Sequence, residues 1–385
     1  MKHIWLKGAA MVAAVLMGSI GAWATQTWVY ANGNLTNEEN GYVLQTVQLS
    51  LTDGDGNKVT GLRVYQIVTQ GSGDIDFTGF ETSDGLRVIS TTITWSSAPE
   101  LRRFIAPDAL EVGPWAAFKD APLLEEISFP KVVTLAGALF QGCTNLKCAV
   151  ELPEVKSIDK WAFRGSAITS FSAPKLEKIS ETMLGECSEL TTVVVGPLCV
   201  TNFVGGCYLS CPKLASITPA PIITSENCTS PFNEKNTAYF SANPLVIKGD
   251  GVKKIPNSYL KNVPELKWIE VTCNNIETVD AWAFQGIAAD AEIRWEGLMP
   301  ATFSDVAFYG DVKTALKRKR LIVLGDEKNI ASWKASTYFK ELTEDDKTGT
   351  FSADYLEAKK FGRVVGTLTY MWLIDGRQGL CIRIQ

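Results

Sequence analysis

The chain has a single histidine, His3, and that residue lies inside a stretch with the features of a removable leader. Lys2 and Lys7 flank its start, an apolar run follows from Gly8 to Ile20, and Ala22-Trp23-Ala24 supplies the small residues a signal peptidase requires. Residues 1–24 are expected to be a signal peptide, so the mature chain begins at Thr25 with no imidazole. This excludes Ser-His-Asp and Cys-His nucleophile activation and the common zinc triads, leaving only carboxylate, lysine or tyrosine catalysis open. Basic residues are not in excess either: the net charge is −5, and −7 once Lys2 and Lys7 leave with the leader. Phosphate backbones need the opposite balance, so no nucleic-acid partner is expected. After the leader no stretch reaches the ~18 apolar residues of a transmembrane helix, and no cysteine follows the cut to carry a lipid. The periplasm, the cell surface or the medium is the expected destination.

With 46% apolar and 21% charged residues, the 385-residue chain is of ordinary globular composition. Its strongest signal is an internal repeat. Segments reading aromatic-x-Gly-Cys-x-x-Leu recur with anchors Phe118, Phe140, Phe163, Leu184 and Tyr208, spaced 22, 23, 21 and 24 residues apart. Leu260, Phe284 and Phe308 continue at intervals of 24, and Phe232 fills the gap. After each anchor comes a short alternating run such as Ile127-x-Phe129-Pro130, then an apolar pair such as Val132 and Leu135. Each unit thus reads as one coil: strand, corner, apolar return, tight helical or 3₁₀ turn, next strand. One coil cannot bury its own apolar face, so the coils must stack.

Ala138-Leu139-Phe140-Gln141-Gly142-Cys143-Thr144-Asn145-Leu146 and Trp161-Ala162-Phe163-Arg164-Gly165 resemble the BspA-like class of bacterial leucine-rich repeats. The resemblance covers about Phe104 to Gly310 and implies a right-handed β/α solenoid, an exported or surface-exposed bacterial protein, and a role in adhesion or protein binding. Glu186 and Ser166 depart from the repeat's glycine and cysteine, and Thr224 to Gly251 fits the period poorly. Around a solenoid at 101–310, of about eight to nine repeats, residues 25–100 read as a β-rich N-terminal cap and 311–385 as a C-terminal cap or small β module. Within the first, Tyr42 to Leu51 and Val59 to Val68 flank Asp53-Gly54-Asp55-Gly56-Asn57, which reads as a hairpin turn. It begins like a calcium loop, but Lys58 and Val64 stand where glycine and glutamate belong. Lys317-Arg318-Lys319-Arg320 reads as a solvated edge.

Cys143, Cys187 and Cys211 share one phase of the coil and are expected to stack in the core, leaving Cys199, Cys207 and Cys228 as disulfide candidates. Trp115, Trp161 and Trp282 lie two or three residues before their anchors and are expected in the core too. No metal site or cofactor is expected. The pairs Glu125-Glu126 and Asp345-Asp346, and Asp250 near Lys253, are the carboxylates a glycosidase could use.

Side chains alternate along a strand, so the neighbours of the inward Ile127, Val150, Phe171, Val193, Ile217, Ile269 and Ile293 must face solvent. These are Glu126 and Ser128, Ala149 and Glu151, Ser170 and Ser172, Thr192 and Val194, Ser216 and Thr218, Trp268 and Glu270, Glu292 and Arg294. The binding surface expected from them comprises Glu126, Ser128, Ser170, Ser172, Thr192, Val194, Ser216, Thr218, Trp268, Glu270 and Arg294. A flat row of short polar side chains suits a protein surface or an extended glycan better than a small substrate. The expected function is non-enzymatic macromolecule binding through this face. The alternatives are a structural cell-envelope component and a carboxylate-dependent, polysaccharide-acting enzyme.

Overall fold

The computed structural model describes residues 26–375, apart from 96–97, 225–229, 250, 258, 261, 274, 289, 309–316, 338–339, 342–360 and 367–368. The expected leader lies outside these residues, as do the last ten residues, Asp345-Asp346 and Asp250. The chain is a β-solenoid of about 10 turns, mostly strand with little helix. In each regular coil a strand such as Glu126–Ser128 leads to a two-residue return strand, Thr134–Leu135, and then to the corner that carries the anchor. Successive strands pair in parallel and in register: Phe104 lies beside Ile127, and Val150, Phe171, Val193 and Ile217 form one inward row. Val112, Leu135 and Ile158 form the corresponding row on the return side. Parallel pairing runs from Lys58–Thr69 to Thr369–Asp375, beyond the repeat bounds read from the sequence. It is interrupted after Ser216–Thr218, where the poorly periodic stretch contains a short helix, Thr237–Ala242, before Leu245–Lys248 starts a new sheet. Lys317-Arg320 lies in a strand paired on both sides, with Glu292–Glu296 and Thr369–Asp375, and is not an edge.

The anchors fill the interior. Phe118, Phe140, Phe163, Leu184 and Tyr208 are fully buried, and the Phe118, Phe140 and Phe163 rings stack at centroid distances of 5.0 and 5.3 Å. Phe232 stacks on Tyr208 at 5.7 Å, and Phe308 on Phe284 at 5.2 Å. The ladder starts one coil earlier than the aromatic motif suggests, because buried Trp95 stacks on Phe118 at 6.1 Å.

The corners are not helical. Around Phe118, Phe140, Phe163, Leu184, Tyr208 and Phe284, residues two before and two after the anchor take the left-handed conformation, for example Ala138 (φ 53°) and Gly142 (φ 73°) around Phe140. Amides at these positions and at the anchor donate to carbonyls of the next coil: Ala138 to Lys160, Phe140 to Ala162 and Gly142 to Arg164. A corner that alternates handedness can therefore hydrogen-bond to its neighbour like a strand while turning tightly. The motif's glycine is explained by the second of these positions, where a side chain is normally strained. Glu186 adopts φ 61° there and pairs with Arg164 at 2.7 Å.

This geometry corrects the placement of the tryptophans. Only the anchor and the residue before it turn inward, so Trp115 and Trp282 stand 46% and 45% exposed and Trp161 is half-buried. It also explains the cysteines. Cys143, Cys187 and Cys211 are buried, and each thiol donates to the anchor carbonyl of the preceding coil: Phe118 O at 3.0 Å, Phe163 O at 3.1 Å and Leu184 O at 3.0 Å. Phe118 O and Phe163 O also accept the Ala121 and Ser166 amides, and a small apolar side chain with a weak donor adds a second hydrogen bond without opening the core. Two of the three disulfide candidates, Cys199 and Cys207, are buried thiols rather than half-cystines, and Cys228 lies outside the described residues.

Both ends of the interior are closed by aromatics. Trp28 packs on Phe77 at 5.0 Å, and Trp333 packs on Trp295 and Phe303 at 5.4 and 5.5 Å. Trp333 belongs to the helix Glu327–Ala335, whose first turn is capped by the Asp326 carboxylate accepting from the Asn329 amide at 3.0 Å. The expected hairpin forms from Val43–Thr52 and Lys58–Thr69.

Candidate functional site

The alternation that buries Ile127, Phe171, Val193, Ile217 and Ile269 turns their neighbours out. Thr192, Val194, Ser216, Thr218 and Trp268 are exposed, and Glu126, Ser128, Ser170, Ser172, Glu270 and Arg294 are partly exposed. In register, Ser170, Thr192 and Ser216 make one line across three coils, and Ser172, Val194 and Thr218 the adjacent line. The stripe is continuous there and flat.

Its two ends differ. At the N-terminal end Glu126 accepts from Arg103 Nε at 2.8 Å, and Arg103 also reaches Asp74 at 3.2 Å, so this carboxylate is taken up in an ion chain across three coils. Glu125 beside it lies 3.5 Å from Arg102. At the C-terminal end, Trp268, Glu270 and Arg294 come together, separated from the Ser/Thr stripe by the break after Thr218. Parallel register sets Trp268 beside Glu292 and Glu270 beside Arg294. Arg294 Nε donates to Glu292 Oε1 at 2.8 Å, and its Nη1 lies 4.0 Å from Glu270 Oε1. Glu292 is the exception to the alternation: it is 8% exposed, beneath the guanidinium it orients.

These side chains, with Ile269, Ala242 and Pro244 from the interrupting segment, line a depression of about 300 Å³. The Trp268 ring, 41% exposed, forms one wall. A planar guanidinium held beside two carboxylates presents donors and acceptors in fixed directions, and an indole face offers apolar area at little entropic cost. Such a site can hold a ligand that combines a flat apolar face with hydroxyl or amide groups. The depression depends on the poorly periodic segment for part of its wall. Sequence alternation found its outward side chains but gave no sign that Glu292 would be buried.

A larger crevice of about 450 Å³ lies under the hairpin tip, between Asp53–Asp55 and Arg87, Asp108, Lys131 and Glu154. Its charges are already matched: Asp108 lies 2.6 Å from Lys131 and 3.6 Å from Arg87, and Glu154 lies 2.6 Å from Lys175. Lys156 Nζ donates to Gly54 O at 2.8 Å and ties the tip to the coils. The Asp53 carboxylate accepts from the Asn57 and Asp55 amides, which lowers its pKa and marks a self-capped turn. No group of three or more His, Cys, Asp or Glu among the described residues is arranged to hold a metal ion. No helix among them is long and apolar enough to cross a membrane.

Residues 114–230 match the BspA type leucine rich repeat region in 6 copies. No curated protein matches the chain. Among solved structures it is similar to a leucine-rich repeat protein from Bacteroides ovatus, with 14% identity, 72% of this chain and 93% of that one covered, and a TM-score of 0.32. It is also similar to a leucine rich cell surface protein from Faecalibacterium prausnitzii, with 12% identity, 81% of this chain and 99% of that one covered, and a TM-score of 0.25.

Proposed function

We propose that this chain, whose residues 114–230 are a run of BspA-type leucine-rich repeats, is an exported bacterial protein that binds a macromolecular partner, a protein or an extended glycan, through its strand-bearing face. The observation that carries the reading is the convergence of Trp268, Glu270 and Arg294 on one solvent-open depression, with Glu292 buried behind them. Trp268 leaves 41% of its surface open to solvent, and aromatic and arginine side chains concentrate binding energy at interfaces. The flat line Ser170–Thr192–Ser216, on the sheet before the break, suits a broad contact of its own. The repeat family supports the same reading, since the resemblance implies surface exposure and binding.

The test is attachment of the purified protein to bacterial or host surfaces and to protein and glycan arrays, compared with a Trp268→Ala, Glu270→Ala double variant. Loss of attachment with an unchanged melting curve supports binding through this face. Unchanged attachment removes the face from the function, and glycan hydrolysis that depends on a single carboxylate would favour an enzyme.

A further inference from the structure

Two neighbouring groups in the depression on the strand face are uncommitted. Among the described residues the Trp268 ring stacks on no other ring and no cation lies over it, whereas the Lys160 ammonium sits 4.7 Å above the ring of Trp161. Glu270 is the second. Its carboxylate accepts no hydrogen bond among the described residues, and the cation near it, Arg294 Nη1, is 4.0 Å away. Arg294 is held elsewhere: its Nε donates to Glu292 Oε1 at 2.8 Å, and Glu292 keeps only 10% of its side chain exposed. The guanidinium charge is thus matched by the buried carboxylate beneath it, which leaves the charge of Glu270 facing solvent. Trp268 and Glu270 stand two residues apart on the strand Trp268–Thr272 and point to the same face, roughly 7 Å apart along the chain.

We propose that this depression takes an arginine side chain of a protein partner, its guanidinium lying on the Trp268 ring and donating in bidentate fashion to the Glu270 carboxylate. The proposal rests on the reading of the strand face as the binding surface and narrows the partner to a protein. A guanidinium is planar, weakly hydrated and rich in paired donors, so one group can stack on an indole and fork onto a carboxylate at once. A lysine ammonium is a compact, strongly hydrated charge without that fork. A neutral sugar also has an apolar face for the indole, but it would strip water from Glu270 and return no charge. An anion would face the carboxylates of both Glu270 and Glu292. Ala242 and Pro244 complete the lining with apolar carbons, against which the methylene stem of an arginine can lie. The volume of about 300 Å³ suits one long side chain better than a run of sugar rings.

The experiment is a titration of the purified chain, carrying isotope-labelled tryptophan, with N-acetyl-L-arginine methylamide, N-acetyl-L-lysine methylamide and cellohexaose. The signal followed is the Trp268 indole N–H resonance, assigned by its loss in Trp268→Phe. The arginine compound should shift it, with a dissociation constant that rises as salt is added. Glu270→Gln keeps the size of the side chain and removes its charge, so it should weaken arginine about tenfold without moving the melting curve. A shift with cellohexaose and none with arginine would overturn the proposal and leave the face as a glycan-binding surface. An equal response to lysine, full affinity for arginine in Glu270→Gln, or silence towards all three compounds would overturn it as well. Attachment lost in the Trp268→Ala, Glu270→Ala variant, together with such silence, would defeat the arginine assignment alone and leave the strand face as the binding surface.

Discussion

At the scale of single residues, the buried thiols show why this repeat uses cysteine. The Phe118, Phe163 and Leu184 carbonyls are enclosed, and Cys143, Cys187 and Cys211 are their donors. Ser166 stands at the same phase but donates to the anchor carbonyl of its own coil, Phe163 O, at 2.7 Å, so a hydroxyl is accommodated at this position with a different acceptor. Cys143→Ser keeps a donor in a space of similar size and is expected to be tolerated, whereas Cys143→Ala should cost about 1 kcal/mol in chemical denaturation, because Phe118 O then keeps only the Ala121 amide at 3.1 Å. Burial pushes the Cys143 thiol up to about 12 from the ordinary 9.0, and Cys199 up to about 11, mainly through lost hydration. The folded chain holds these protons while the unfolded chain releases them from about pH 9 upward. Stability from this source is complete below that pH and falls as pH rises towards 12. Denaturation midpoints at about pH 8 and about pH 10.5 should differ, and the difference should shrink in Cys143→Ser. The same burial predicts that thiol reagents leave Cys143, Cys187 and Cys211 untouched until the protein unfolds.

At the scale of the coil, the phase of every strand follows from which residue points in. Phe163 is fully buried between Phe140 and Phe171, and Ser170 faces solvent next to it in sequence order. Phe163→Ala should lose ~3–5 kcal/mol, as other buried aromatics do, and Ser170→Ala should stay within about 0.5 kcal/mol. Equal losses in urea titration would mean that the alternation is misassigned. This much was legible in the sequence because burial repeats: Phe118, Phe140 and Phe163 recur at a fixed interval, and the strand between them alternates. The tryptophans were misread because an aromatic close to an anchor looks like core. The contrary signal was present in the columns themselves. The positions of Trp115 and Trp161 hold Gly137, Lys160 and Glu181, or Ala116, Ala138 and Thr182, in other coils, and charged or small residues describe a surface. What the sequence could not display was the left-handed backbone that turns this column outward, since only some of its members are glycine.

At the scale of the molecule, a stack of coils is stable as far as its ends are sealed, because each coil touches little beyond its neighbours. The C-terminal seal is Trp333 on the helix Glu327–Ala335, fully buried against Trp295 and Phe303. Nothing in the 21–24-residue period announces this helix, since it lies beyond the regular coils and its role depends on where the stack happens to end. The depression around Trp268 was only half legible for a related reason. Its outward side chains follow from alternation, but the wall at Ala242 and Pro244 comes from a segment outside the period. Trp333→Ala should therefore act locally. Hydrogen exchange is expected to quicken in Trp268–Thr272 and Glu292–Glu296, the coils nearest the cap, while Ser170–Ala173 keeps its protection. Affinity for a strand-face partner should fall with the loosened Arg294–Glu292 pair. Uniform loss of protection along the chain would instead mean that the solenoid opens as one unit, and that no site on it can be loosened alone.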